Sequence, residues 1–266
     1  MMFLDISTYV GHWPFRNLRY NTLAGLDELA QKHDITHMVV SNLNGLFYKD
    51  TMSANEELLE EWMAYSGKTV FLPLAMVDPT YPGWEEDARS FIEAGFAGFE
   101  IAPLYHNYTL CGSVAPESYL PYRPAEDVMA LAEALDVPVR ICAGFEDCRG
   151  RGHMDTFKDL TGDDYHTLLS KYPNVHVFCT GFIPCEAGDR FAELLKTRKN
   201  TYFDVSDGDC QVGFPQRNLQ VVTVDQLCYG SLSPFRYMEA SLINMEYGYD
   251  ADALKTNAAR AFRSLR

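Results

Sequence analysis

Eight short runs of β-branched and aromatic residues recur along the chain, each separated from the next by a stretch of helical periodicity, and this alternation constrains the fold more than any other feature. The runs span 3–7, 38–42, 70–77, 98–102, 137–143, 175–180, 201–205 and 226–230. Between them, apolar residues fall at helical spacing, as in Leu23, Leu26, Leu29 and Ala30, or Val128, Leu131, Ala132 and Leu135. Repeated strand–helix units demand a parallel sheet covered by helices. Eight units, no GxGxxG after the first run and no linker rich in Pro, Gly or Ser predict a closed (β/α)8 TIM barrel in one domain, 1–266; a doubly wound open sheet is the alternative. The 266 residues suit one such domain.

In a barrel, loops that follow strands build the functional face. Three of these are long: 8–21, 103–123 and 144–159. The second carries Tyr105, His106, Asn107, Tyr108, Tyr119 and Tyr122, which reads as a lid or a subunit contact.

A formal net charge of −15 with no Lys/Arg-rich run argues against nucleic acid and anionic membrane surfaces and favours a small-molecule partner. No apolar stretch is long enough to span a bilayer, and the N-terminus lacks the flank and apolar core of a signal peptide, so a soluble, cytoplasmic protein is expected. The seven cysteines are odd in number and form no CxxC pair, which predicts free thiols. Homo-oligomerisation through exposed aromatics stays open.

Several segments carry a resemblance. Leu4-Asp5-Ile6-Ser7-Thr8-Tyr9-Val10-Gly11 looks like the first strand of the amidohydrolase-related family, which reads Ile-Asp-X-His-X-His followed by glycine. Pro138-Val139-Arg140-Ile141-Cys142-Ala143-Gly144 resembles its fifth strand, Tyr172-Pro173-Asn174-Val175 the opening of its sixth, and Asn200-Thr201-Tyr202-Phe203-Asp204 its seventh. Tyr229-Gly230-Ser231-Leu232-Ser233-Pro234 is similar to the Gly-Ser-Asp-X-Pro turn, and Asn257-Ala258-Ala259-Arg260 to the closing Asn-Ala-X-Arg. Segments 11–16 and 77–84 look like an uncharacterised branch of that family, in which Asn or Ser and Tyr replace the paired histidines.

The resemblance implies a hydrolase with a divalent metal in a TIM barrel, yet the positions it assigns to the ligands are substituted. Ser7 and Tyr9 stand for the two histidines, Cys142 for the fifth-strand histidine, Thr180 or Gly181 near the sixth-strand one, and Leu232 for the aspartate. A hydroxyl, a phenol, a thiol and an aliphatic chain are not the nitrogen and carboxylate set that zinc takes. No metal or other cofactor is therefore expected. The alternative is a divalent metal such as zinc at a rebuilt site formed by His12, His106 and His153 with Asp207 or Asp209.

Metal-free hydrolysis needs a general base and fixed donors for the developing oxyanion. The loop after the fifth strand offers Glu146 and His153 as acid or base, with Asp147 and Arg149 beside them; the competing reading is a surface loop braced by its own ion pairs. Arg140 is expected to share the inward face with Cys142, and Arg140, Arg149, Arg16 and Arg236 are the expected anion binders. Asp204 is a third catalytic candidate, and His12, Tyr105 and His106 line the same face. Asp5 and Asp204 sit where an ionised carboxylate is costly, so either an arginine such as Arg140 pairs with them or their pKa values rise; pairing is the expectation. Glu100 could face the axis or the helices. Because the resembled superfamily includes metal-free lactone hydrolases, lactonase- or decarboxylase-type chemistry on a small polar or carboxylate-bearing compound is what the resemblance permits. The alternative is a catalytically inactive barrel that binds a metabolite or a protein partner.

Overall fold

In the computed structural model, which describes residues 2–111, 123–145, 159–206 and 213–266, eight parallel strands follow one another around a single sheet in chain order. They are β1 (Leu4–Val10), β2 (His37–Asn42), β3 (Val70–Val77), β4 (Gly98–Ile101), β5 (Val139–Cys142), β6 (Val177–Thr180), β7 (Thr201–Asp204) and β8 (Leu227–Cys228). The sheet closes where the Ile6 N–H donates to the Tyr229 carbonyl at 3.1 Å and the Tyr9 N–H to the Ser233 carbonyl at 2.8 Å. This is the (β/α)8 barrel that the sequence predicts.

The helices lie between the strands as the apolar spacing requires. In α1 (Leu23–Lys32), Leu23, Leu26 and Ala30 are buried, the Thr22 hydroxyl caps the start by accepting from the Gly25 N–H, and Lys32 sits in the last turn, where the helix dipole favours a cation. In α2 (Pro124–Leu135), a proline opens the first turn and Val128, Leu131 and Ala132 face the sheet. A reciprocal capping box between Thr161 and Asp164 starts α3 (Gly162–Leu169).

Alternation along the strands divides the core. Residues such as Val40, Ala75, Phe99, Ile141, Val177 and Phe203 pack outward against the helices. Leu4, Ile6, Val39, Leu74, Phe178 and Tyr202 fill the lower interior together with Ala258, Ala259 and Phe262. The closing Asn-Ala-X-Arg segment is thus the barrel floor: Asn257 donates to the carbonyls of Val224 and Leu227, and Arg260 to the Tyr202 hydroxyl at 2.7 Å.

One boundary differs from expectation in a way that matters to function. Strand β1 continues through Thr8, Tyr9 and Val10, which the sequence reading placed in a loop. The register against β2 shifts between Asp5 and Thr8, and after the shift Tyr9 pairs with Ser41 and Val10 with Asn42. A bulge of this kind re-aims side chains.

Candidate active site at the barrel mouth

Charged side chains stand in the middle of two short, wholly buried strands, Glu100 in β4 and Arg140 in β5, directly opposite each other in register. Both face the barrel axis. Arg140 Nη2 donates to Glu100 Oε2 at 2.5 Å and to Ser41 Oγ at 2.7 Å, while Nη1 donates to the Ile6 carbonyl at 2.8 Å. The Ser41 hydroxyl also donates to Glu100 Oε2, the Tyr9 hydroxyl donates to Oε1 at 3.1 Å, and the guanidinium lies 4.6 Å from the Tyr9 ring centroid. Burial opposes the charge on Arg140, but Glu100 and the Tyr9 ring more than offset it and raise its pKa. Burial likewise pushes the Tyr9 phenol well above its usual value, so it stays a donor.

This arrangement corrects two expectations. Arg140 is fully buried and committed to Glu100, Ser41 and a backbone carbonyl, so it is no substrate clamp. Nor does it pair with Asp5 or Asp204. A guanidinium taken out of water binds the carboxylate opposite it in register, and that carboxylate is Glu100.

Among the described residues, Asp5 and Asp204 form no ion pair with a cation, and both rise in pKa. Asp5 Oδ1 accepts from the N–H groups of Ser7 (3.1 Å) and Ser231 (3.0 Å), whereas Oδ2 has no hydrogen-bond partner among the described residues. Burial outweighs these bonds, the Asp204 charge adds to it, and the carboxyl moves from 3.8 to about 7. Asp204 Oδ1 accepts from the hydroxyl (2.6 Å) and N–H (3.3 Å) of Ser206, and its Oδ2 is also unsatisfied among the described residues. Burial raises it; the Ser206 and Ser7 hydroxyls and the Arg236 charge act against the rise. Gly230 permits this close approach. A β-carbon there would lie 2.5 Å from Ser7 Oγ and 2.6 Å from Asp204 Cβ. One strand away, the buried Thr180 hydroxyl has no partner among the described residues either.

The loop candidates fall into two groups. His12 is exposed, and its N–H donates to Asn44 Oδ1. Arg16 Nη2 donates to the Phe235 carbonyl at 3.0 Å, joining the loops after β1 and β8. Arg236 Nη1 donates to the Ser206 carbonyl at 2.9 Å, next to Asp204. The Tyr105 hydroxyl accepts from the Phe145 N–H, and His106 Nε2 meets the Gly45 carbonyl at 3.0 Å. Glu146, Asp147, Arg149, His153, Asp207 and Asp209 lie outside the described residues.

Above the polar layer, Trp13, Phe145 and Phe235 pack with Tyr9: Phe145 stacks on Phe235 at 4.6 Å, Trp13 meets Phe235 edge-on at 4.8 Å and Tyr9 meets Phe145 at 4.8 Å. Sequence reading missed this roof and the Tyr9–Ser41–Glu100–Arg140 network. The available signal was two charges on consecutive apolar strands.

No family model and no curated protein matches the chain. Solved structures do. A dihydroxybenzoic acid decarboxylase from Polaromonas sp. JS666, with bound manganese and the inhibitor 2-nitroresorcinol, shares 16% identity at a TM-score of 0.69, covering 100% of this chain and 98% of that one. The fold is that of the amidohydrolase barrels. A 2,6-dihydroxybenzoate decarboxylase from Rhizobium aligns at TM-score 0.68 and 14% identity over 99% of both chains, and Amidohydrolase 2 from Bifidobacterium longum subsp. infantis at 0.57 and 14% over 98% of both.

The residues that the sequence resemblance sets at the metal-ligand positions do not fit a divalent ion. Ser7 Oγ accepts from the Leu232 N–H at 3.1 Å, the Tyr9 phenol is held protonated against Glu100, Cys142 packs in an apolar cluster and Leu232 offers no donor atom. Among the described residues, no three His, Cys, Asp or Glu side chains gather where they could hold an ion.

Proposed function

We propose that this barrel is an enzyme of the hydrolase or decarboxylase type, acting on a small polar or carboxylate-bearing compound at its C-terminal mouth, with Asp204 as the proton-transfer group. The observation that carries this reading is the state of Asp204: a buried carboxyl at the end of β7, with one oxygen tied to Ser206, the other unsatisfied among the described residues, and a pKa raised by burial. Lactone opening and decarboxylation both require a proton delivered to or taken from a reacting atom, and a carboxyl raised above its usual range serves this near neutral pH better than an ordinary one. Arg236, held at Ser206, places a positive charge beside Asp204 and suits a substrate carboxylate. Glu146 and His153 are the proposed second acid–base pair, with Asp147 and Arg149 as further binding groups, and Tyr105, His106, His12 and Arg16 furnish the walls of the mouth.

The test is a panel of lactones and aromatic or aliphatic carboxylates, scored for acid release and CO2 release, on wild type and Asp204→Asn. Loss of turnover by roughly 100-fold or more in Asp204→Asn, with the melting temperature retained, supports the role. Equal turnover in the two proteins removes Asp204 from the chemistry.

A second reading, a barrel that binds a metabolite without turning it over, draws on the roof formed by Trp13, Phe145 and Phe235, because aromatic rings occupy space above the polar layer. Binding of a panel compound without any turnover favours it.

A further inference from the structure

Under the barrel, on the face opposite the mouth, three segments surround one depression of about 470 Å³. They bring His176 from just before β6, Arg198 and Lys199 from just before β7, and Arg260 from the closing segment. Among the described residues no Asp or Glu lines it, in a chain whose formal net charge is −15. Leu169, Pro173 and Leu194 supply an aliphatic lining, and the rings of His176 and Tyr202 stack at its edge.

The three cations meet only neutral groups. Arg198, almost wholly buried, donates to the carbonyls of Leu169, Tyr172 and Val175 and to the Thr201 hydroxyl. Its charge is desolvated without being neutralised, and burial lowers its pKa to about 10. Arg260 donates through Nε to the Tyr202 hydroxyl and through Nη2 to the carbonyls of Lys199 and Asp225, which leaves Nη1 without a partner among the described residues. Lys199 is exposed, and its ammonium has neither a hydrogen bond nor an ion pair among the described residues. Asp136, the carboxylate that acts on His176 from nearby, is held by Arg263 and Arg266.

His176 adds a neutral donor. Burial and the charges of Arg266, Arg260 and Arg198 lower its pKa to about 4, so the ring is neutral near neutral pH. The Tyr202 hydroxyl accepts from Arg260, so its own proton goes to His176 Nδ1 at 3.0 Å. That sets the proton of the neutral ring on Nε2, which has no acceptor among the described residues.

We infer that this basal depression binds a tetrahedral oxyanion of the phosphate type, free or as the head of a monoester. Three cations with no carboxylate between them repel one another until an anion neutralises them. The Lys199 ammonium, Arg260 Nη1 and His176 Nε2 are the donors for direct contact. Arg198, whose nitrogens are all engaged, contributes its field. A carboxylate offsets one of the three charges, whereas a phosphate brings nearly two and three acceptor oxygens. The site lies at the start of β7 and Asp204 at its end, so the inference does not depend on Asp204 being catalytic.

Isothermal titration calorimetry of the full chain in low-salt, phosphate-free buffer tests it with inorganic phosphate, phenyl phosphate and acetate at equal ionic strength. The tighter of the two phosphates is expected to bind one to one and to weaken as salt rises, with acetate at least about fivefold weaker. Tighter binding of phenyl phosphate identifies a monoester head as the ligand, and binding of inorganic phosphate at least as tight identifies the free anion. Lys199→Gln, at an exposed position, is expected to keep the wild-type melting temperature and to bind that phosphate roughly tenfold more weakly. Lys199→Arg, which keeps the charge, is expected to stay within about threefold of wild type. Asp204→Asn is expected to bind as wild type does, whatever turnover it retains, which separates this site from the proposed chemistry. Absence of binding by both phosphates, acetate binding as tightly as either, or unchanged binding by Lys199→Gln overturns the inference.

Discussion

Replacing Asp5 with asparagine isolates the electrostatic cost of a buried carboxyl that no cation among the described residues pairs. In the folded protein Asp5 holds its proton up to about pH 7, while the unfolded chain releases it near 3.8. Between those values the folded state binds more protons, so stability falls as pH rises. The contribution is fully present below the unfolded value and lost once pH passes the folded one. A shift of about three units at about 1.4 kcal/mol each amounts to roughly 4 kcal/mol across the window. Asparagine keeps the acceptor for the Ser7 and Ser231 N–H groups and replaces the unsatisfied oxygen with an amide nitrogen, at a pH-independent cost of about 1–3 kcal/mol. Urea unfolding of wild type and Asp5→Asn from about pH 4 to about pH 8 measures the effect: the stability difference between them should swing in favour of the variant by about 1 kcal/mol per pH unit over the window. Parallel pH profiles for the two proteins would refute the argument, because they would mean that Asp5 is ionised in the fold throughout.

Further outcomes follow from the same interior. Glu100→Gln should destabilise by about 3–5 kcal/mol in chemical unfolding by leaving Arg140 charged and unpaired, and Arg140→Met in the same background should recover part of that loss. Gly230→Ala should cost roughly 1–3 kcal/mol in the same assay and lower any activity that depends on Asp204, since its β-carbon meets Ser7 and Asp204. Elemental analysis of purified protein should find zinc and manganese well below one per chain; stoichiometric metal would revive the site built from His12, His106 and His153.

The barrel was legible because eight strand–helix alternations admit few solutions, and the floor was legible in outline because Asn257 to Arg260 resemble a known closing segment. The interior chemistry was not. The sequence reading ends the first strand at position 7, whereas β1 runs on to Val10 and its register against β2 shifts between Asp5 and Thr8. The same shift carries Tyr9 opposite Ser41, and the Tyr9 hydroxyl reaches Glu100. Pairing is likewise hidden in one dimension: Arg140 has three buried carboxylates to choose from in the sequence, and only the strand register shows that Glu100 stands opposite it.

That choice bears on why Asp204 is a candidate at all. Had Arg140 reached toward β7, its charge would have held the Asp204 carboxyl ionised and low, as an opposite charge within hydrogen-bonding distance does. With the guanidinium bound to Glu100, Ser41 and Ile6, burial governs Asp204 and raises its pKa, tempered by two hydroxyls and by Arg236. The ion pair therefore acts on the mouth by what it withholds. Glu100→Gln supplies the check: if Arg140 is released toward the axis, the pH dependence of any Asp204-linked activity should move to lower pH, whereas an unmoved profile would show that the two carboxylates are electrostatically independent.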